Sequence, residues 1–316
     1  MKLAIALIVV TALPAQVRVE KAEWHGWLDA VILRNPVAAV VIVPSVGRVM
    51  QFSFLDKNGQ PGEGPFWNNR MLDGRPVDPV SNQWSNFGGD KSWPAPQADW
   101  PGIMKRAWPP PTGFDAAADR ITIEGSRVTL TSPVDSAFDL QERRVIDLHK
   151  TDPVMTISTT YEKVAGAPLK VGVWTITQLN SPDNVYAEIP AKTIFAGGYS
   201  NQSPNPIFEL NREADRIRLR RDPEKSTKMG TDGNWLLWSG PDAGGDRIGL
   251  KIERTSVPEA DAEWPDGGAR IEVYTNPDQG GQRYVELEVM GPLQMMKTGD
   301  QATTSNRYTL TRGTGQ

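Results

Sequence analysis

An alternation of apolar and polar residues, repeated along most of the chain, is the feature that most limits how this sequence can fold. This alternation has a period of two residues, which is the period at which side chains alternate between the two faces of a β-strand. No segment sustains the 3.6-residue apolar period of a helix. Turn-forming groups rich in Gly, Pro, Asn and Asp separate the alternating segments. The predicted strands cover residues 27–34, 38–43, 48–55, 120–124, 127–131, 140–148, 154–161, 169–178, 216–220, 235–239, 247–253, 269–275, 284–289 and 308–311. This series of short strands predicts an all-β, antiparallel sandwich.

The beginning of the chain predicts export. One lysine is followed by an apolar run from residue 3 to residue 13 and by a Pro-Ala pair that ends at Ala15. This order is typical of a secretory signal peptide, and the run is shorter than the roughly 20 residues of a membrane-spanning helix. We expect residues 1–15 to be a signal peptide, cleaved after Ala15 or, as a second choice, after Ala12. Residues 16–316 should then form a single exported domain, periplasmic or extracellular, with no membrane span.

Composition excludes several classes of function. The formal net charge of −4 offers no basic surface for nucleic acid. There is no cysteine, which removes disulfides, thiol nucleophiles and thiolate metal sites, and two histidines are too few for a zinc site of three histidines. No dinucleotide or phosphate-binding loop is present. We therefore expect no cofactor and no metal, and we expect a monomer.

A window rich in tryptophan and proline is the strongest candidate for a binding region. Residues 61–111 hold ten of the 26 prolines and five of the 11 tryptophans, and the motif at 86–97 reads NFGGDKSWPAPQ. The window is predicted to be a long irregular loop, where binding residues are often found. A stiff loop that presents the indole of Trp93 beside Asp90, Lys91 and Gln97 would suit a ligand with apolar faces and hydroxyl edges, such as a sugar. Alternatively, the tryptophans anchor the loop to the core.

Four segments together resemble the galactose mutarotase-like superfamily, which includes the aldose 1-epimerases. They are PSVGRVMQF at 44–52, NFGGDKSW at 86–93, VGVWTITQ at 171–178 and YVELEVMGPL at 284–293. Their order is similar to the family's early Gly-Arg element, its paired-glycine loop and its two strands with catalytic residues. The likeness is greatest to a family of unknown function within the superfamily. The resemblance implies an antiparallel β-supersandwich with a carbohydrate site in the cleft of a concave sheet.

The chain departs from the epimerase pattern where the chemistry needs histidine. The epimerase loop has a histidine before Gly-Gly, and here the residue is Phe87. The mid-chain strand should carry the catalytic histidine, and here it reads Trp174 to Gln178 without one. Mutarotation requires a base at the anomeric hydroxyl and an acid at the ring oxygen. The resemblance therefore does not imply ordinary mutarotase activity.

The late strand supplies the candidate acid–base residues. Tyr284, Glu286 and Glu288 alternate with apolar residues, so they share one face, with the two glutamates about 7 Å apart. If this face lines the concave sheet, the two glutamates would contact a sugar. If it points outward, they would contact only water. Of the two, Glu288 better matches the epimerase glutamate.

We therefore predict an exported carbohydrate-binding protein, with a non-standard epimerase as its enzymatic version. Glu288 would be the base, and Asp90 or Lys91 would replace the missing histidine. The residues predicted to bind the sugar are Arg48, Lys91, Trp93, Gln97, Trp174, Gln178 and Glu286.

The alternative hypothesis is a non-catalytic envelope or matrix component that binds a glycan polymer or a protein through residues 61–111. Two observations would separate the hypotheses. Carboxylates that converge within about 5–9 Å across a pocket would favour catalysis. Scattered carboxylates beside coplanar indoles would favour binding alone.

Overall fold

The computed structural model describes residues 16–77, 83–242, 244–278 and 280–313, so the predicted signal peptide lies outside the described residues. Numbered in chain order, the strands are β1 (Arg18–Trp24), β2 (Trp27–Arg34), β3 (Ala38–Val43), β4 (Arg48–Phe54), β5 (Asp90–Ala95), β6 (Arg120–Glu124), β7 (Arg127–Asp135), β8 (Leu140–Leu148), β9 (Val154–Lys163), β10 (Leu169–Asn180), β11 (Asn184–Glu188), β12 (Ser200–Asn201), β13 (Asn211–Arg212), β14 (Arg216–Leu219), β15 (Thr227–Thr231), β16 (Trp235–Pro241), β17 (Arg247–Arg254), β18 (Ile271–Thr275), β19 (Tyr284–Met290), β20 (Gln294–Met296) and β21 (Gln301–Arg312). The helices are two short α-helices, α1 (Trp100–Met104) and α2 (Thr112–Asp115), and 3₁₀ turns at Pro44–Val46, Arg70–Leu72 and Gln97–Asp99. No helix in these ranges is long and apolar enough to cross a membrane.

Two large antiparallel sheets form the fold. The front sheet has 11 strands in the order β1-β2-β3-β4-β5-β10-β19-β18-β15-β12, with β20 paired to β10. The back sheet has ten strands in the order β13-β14-β11-β16-β17-β21-β9-β8-β7-β6. The predicted all-β supersandwich is confirmed.

The main core lies between the two sheets. On β8 the buried residues alternate with more exposed ones, so this back-sheet strand has one wet face. In contrast, all six residues of β3 are buried. Val40 and Ile42 face the main core, while Val41 and Val43 belong to a second hydrophobic cluster on the outer side, which also contains Phe87. The front sheet is thus covered on both faces near β3, and the segments that cover it shape its outer surface.

The prediction of an irregular loop is wrong at the centre of residues 61–111, because residues 90–95 form β5. Gly88 and Gly89 have φ values of +90° and +74°, and they turn the chain directly into this strand. β5 then pairs with β10 over six residues. Proline within a strand normally costs a ladder hydrogen bond, but the carbonyl of Pro94 accepts from the Trp100 indole. Its backbone nitrogen points to the same side, away from β10, so no bond is lost.

Candidate functional site

A cleft of about 440 Å³ opens on the outer face of the front sheet, above β5, β10, β19, β18 and β15. Strand register places its floor residues together. Trp93 on β5 pairs with Trp174 on β10, and Gln178 further along β10 pairs with Glu286 on β19. Residues two apart point to the same face, so the residues that alternate with these point to the core. The side chains that line the cleft are Trp84, Trp93, Gln97, Trp108, Trp174, Gln202, Ser203, Pro204, Ser226, Thr227, Lys228, Tyr274, Asn276, Gln282, Tyr284, Glu286 and Glu288.

Two carboxylates converge on one ammonium group in the floor of the cleft. Lys228 Nζ lies 2.8 Å from Glu272 Oε2 and 3.0 Å from Glu288 Oε2. The Trp174 indole donates a 2.7 Å hydrogen bond to Glu288 Oε2. Gln202 Nε2 donates a 2.6 Å bond to Glu272 Oε1. These contacts hold Lys228 and the two carboxylates in place. The Oε2 atom of Glu288 already has two protein partners, the Lys228 ammonium and the Trp174 indole.

Burial changes the protonation of these groups. Burial, together with the smaller effect of the neighbouring Glu288, raises the pKa of Glu272 to about 7 against the opposing effect of Lys228. Burial also raises the pKa of Glu286 and of Glu288. Burial acts to lower the pKa of Lys228, but the carboxylates of Glu272 and Glu288 outweigh it and raise the value. The carboxyl group of Glu272 can therefore exchange a proton close to neutral pH.

Lys91 is a buried cation without a hydrogen-bond acceptor among the described residues. Its side chain is 1% exposed, and Nζ lies 4.4 Å from the ring centre of Trp93 and 5.2 Å from that of Trp84. The carboxylate of Asp115 is 3.8 Å away. Burial, aided by the charge of Arg48, lowers the pKa of Lys91 to about 8. An ammonium group in this state can release its proton more readily than an exposed lysine.

Asp115 organises the aromatic wall of the cleft, and the sequence analysis missed it. Its Oδ1 accepts a 3.0 Å bond from the Trp93 indole and a 3.1 Å bond from Arg48. Its Oδ2 accepts a 3.0 Å bond from the Trp84 indole. One carboxylate thus fixes two indoles and a guanidinium group. No local motif marks this residue, because α2 brings it under the cleft from outside the central motif.

The tryptophans meet edge to face. The ring planes of Trp93 and Trp174 make an angle of 85°, and those of Trp93 and Trp108 an angle of 80°. Trp93 is only 4% exposed, whereas Trp108 is 45% exposed. The indoles therefore form no coplanar platform. Trp93 lines the cleft and also anchors the segment, and Trp108 is the indole most open to a ligand.

The structure does not bring Asp90 into the cleft. Asp90 lies on the core side of β5, where it contacts Arg144 and accepts bonds of 2.6 Å from Thr177 and 2.7 Å from Tyr308. All of these groups lie between the two sheets. The predicted role of Asp90 as an acid does not fit this placement. The strand alternation that directs Asp90 inward places Lys91 on the cleft side of β5, where it is buried beside Trp84 and Trp93 and does not line the cleft.

Of the other predicted binding residues, Arg48 and Gln178 are buried, and Gln97 is exposed. Arg48 is fully buried behind the cleft and donates to the carbonyls of Gly88 and Asp115, so it supports the wall without lining the cleft. Gln178 is also buried, and it donates a 2.8 Å bond to Glu286. Gln97 is exposed on the rim.

The residues that the sequence analysis missed include Lys228 and Tyr274, which line the cleft, and Glu272, which is fully buried and contacts Lys228 beneath it. Glu272 and Tyr274 alternate with apolar residues on β18, and Lys228 lies on β15. The period-two pattern that identified Glu286 and Glu288 is present on β18 as well. The pattern does not reveal that β18 pairs with β19. This pairing places Glu272 opposite Glu288 and Tyr274 opposite Glu286. In the described part of the chain, no cluster of three or more His, Asp or Glu side chains is placed to hold a metal ion.

Comparison with solved structures identifies the class of fold, the galactose mutarotase-like β-supersandwich. A galactose mutarotase-like protein from Lactobacillus casei has a TM-score of 0.53 and 9% identity, over 89% of this chain and 100% of that one. A galactose mutarotase related enzyme from Lactobacillus acidophilus has a TM-score of 0.52 and 11% identity, over 91% and 99%. A TPR-domain containing protein from Parabacteroides distasonis has a TM-score of 0.55 and 16% identity. The match covers 89% of this chain but 47% of that protein, so this chain spans about half its length. No family model and no curated protein sequence matches the chain.

Proposed function

We propose that this protein binds a carbohydrate in the cleft of the front sheet. The observation that carries the proposal is the combination, in one open cleft, of the exposed indole of Trp108 with the carboxylate of Glu286. A sugar ring has apolar faces that pack on indoles and hydroxyl edges that donate to carboxylates. The shared fold with galactose mutarotase-like structures supports the same interpretation.

Glu286 is the best placed group to accept a hydroxyl. Its side chain is 7% exposed, and one oxygen accepts from Gln178. None of the described residues donates a hydrogen bond to its other oxygen. Tyr274 pairs with Glu286 across the strands and Tyr284 lies two residues earlier on β19, and both tyrosines line the cleft with their ring centres 6.4 Å apart. A charge-assisted hydrogen bond here should contribute about 1.5–3 kcal/mol to binding.

The test compares Glu286→Gln with the wild-type protein on a glycan array, followed by calorimetry with the sugars that bind. We expect Glu286→Gln to weaken binding at least about tenfold, in keeping with the loss of one charge-assisted bond. Glu124→Gln is the matched control, because Glu124 is exposed on β6 of the back sheet. Failure of the wild-type protein to bind any glycan, or equal binding by both variants, would refute the proposal.

Epimerisation at the anomeric carbon is a second candidate function. Lys91 favours it, because an ammonium group with a pKa near 8 lies on the same face of the sheet as Glu288. Glu288 would take the proton of the anomeric hydroxyl. Lys91, buried beside Trp84 and Trp93, would supply one to the ring oxygen through a water molecule. Asp90 has no part in this scheme.

The test uses a sugar that the array identifies. Proton-exchange NMR would follow its anomer interconversion with the wild-type protein and with Lys91→Met, a variant of similar length and volume. We expect the variant to lose at least about a hundredfold in rate, the usual contribution of acid–base catalysis. Binding without any acceleration by the wild-type protein would instead favour the alternative, a non-catalytic envelope or matrix component that binds glycan.

A further inference from the structure

A second depression, of about 320 Å³, lies beside the cleft on the same outer face of the front sheet. It lies above β1 and β4, and Trp24, Gln51, Glu63, Trp67, Asn68 and Arg70 contribute to its walls. β4 and β5 are neighbours in the sheet, so the two concavities follow one another along one surface.

An aromatic pair separates the two concavities. The ring of Trp67, from the second depression, lies 4.7 Å from the ring of Tyr284, which lines the cleft. The backbone of Trp67 is fixed within the sheet: its N–H donates to the carbonyl of Gln178, and its carbonyl accepts from Gly89, both at 2.9 Å. The two concavities therefore share a rigid, apolar divider.

Polar groups in the second depression are left free for a ligand. Gln51 is 5% exposed, and its Oε1 accepts from the backbone N–H groups of Phe52 and Phe66. These bonds orient the amide, and its NH₂ group donates to none of the described residues. Asn68 donates from its NH₂ group to the carbonyl oxygens of Met50 and Trp67, and its Oδ1 accepts from none of the described residues.

The depression also has an apolar wall. The half-buried indole of Trp24 stacks on Trp27, with ring centres 5.9 Å apart and an interplanar angle of 16°. The ring of His25 also packs against Trp24, with ring centres 4.0 Å apart and an interplanar angle of 67°, so Trp24 and His25 together form this part of the wall. Beyond it, Arg70 contacts His25 and lies 3.4 Å from Asp73. A donor, an acceptor and an aromatic wall in one concavity are suited to a sugar ring.

We propose that this second depression is a subsite for the same ligand, and that the ligand is an oligosaccharide or a glycan chain. The chain would cross the Trp67–Tyr284 divider, with one sugar in the cleft and a later sugar against Trp24. The proposal rests on the proposed carbohydrate-binding function, and it goes further by assigning the ligand's length and a second site.

The test is a glycan array that carries, for each sugar type, monosaccharides and oligosaccharides of increasing length. The wild-type protein should bind oligosaccharides at least about tenfold more tightly than the matching monosaccharide, as expected for one added aromatic–sugar contact. Trp24→Ala should remove most of this preference while binding of the monosaccharide stays within about twofold. Arg70→Ala, at a side chain that is 57% exposed, is a second variant that should fold normally and should also reduce the preference.

Trp235→Ala is the matched control, because it removes a partly exposed indole from the back sheet. Circular dichroism melting of each variant would confirm that it is folded. Equal affinity for monosaccharide and oligosaccharide, or an unchanged preference in both subsite variants, would overturn the subsite and leave the cleft proposal intact. If the wild-type protein binds no glycan of any length, the proposed function itself is refuted.

Discussion

Replacing Trp93 by alanine should destabilise the protein strongly. Trp93 is 4% exposed, packs edge to face on Trp100 and Trp174, and donates a 3.0 Å bond to Asp115. A buried tryptophan replaced by alanine costs about 3–5 kcal/mol, and the lost donor to a carboxylate places this case in the upper part of that range. For a chain of this size we expect the melting temperature to fall by about 6–12 °C.

Scanning calorimetry of Trp93→Ala beside Trp108→Ala would test this reasoning. Trp108 is 45% exposed, so its removal should lower the melting temperature by no more than about 2–3 °C. It should nevertheless weaken carbohydrate binding about tenfold, the effect of one lost aromatic stack. The reasoning would be refuted if Trp93→Ala melted within about 2 °C of the wild-type protein while its affinity for glycan fell. In that case Trp93 would be a stacking residue and not an anchor.

Three further predictions concern protonation, catalysis and export. Burial raises the pKa of Glu142 from 4.5 in the unfolded chain to about 7 in the folded protein. Between these two values the folded protein holds a proton that the unfolded chain releases, so the free energy of unfolding falls as the pH rises toward 7. In urea titrations, Glu142→Gln should therefore cost more stability relative to wild type at pH 5 than at pH 8, and equal costs would contradict the shift. Polarimetry should show no more than a few-fold acceleration of glucose or galactose mutarotation, because Phe87 and the histidine-free strand segment 174–178 stand where the resemblance implies histidines. An increase of about 10⁶-fold would contradict this. Mass spectrometry of protein from the native host should find an N-terminus at Gln16 or Leu13, whereas an intact Met1 on soluble protein would disprove export.

The period-two pattern predicted most of the sheets correctly. Each of the fourteen predicted segments overlaps a strand, and residues 27–34, 38–43 and 140–148 coincide with β2, β3 and β8. Side chains that alternate along a strand leave this signal wherever one face is wet. The short strands β12 and β13 carry too few residues to show it, and β5 is hidden by its proline and by burial on both faces.

The candidate site was predicted only in part. Glu286, Glu288 and Trp174 line the cleft as expected, because alternation along one strand and a resemblance were enough to place them. The prediction for Asp90 is wrong because a segment predicted to be a loop has no alternation that would separate Asp90 from Lys91. Treated as a strand, the same residues point to opposite faces.

What the sequence determined by itself is the local part of this protein: the strand period, the turns, the absence of cysteine and the concentration of tryptophan in residues 61–111. What only the tertiary structure decided is which faces meet. Glu272 and Glu288 share Lys228 because β18 lies between β15 and β19 in the sheet. Asp115 fixes Trp84 and Trp93 because α2 packs beneath them. Contacts of this kind depend on strand order and on chain segments far apart in sequence, and a pattern of neighbouring residues contains no information about either.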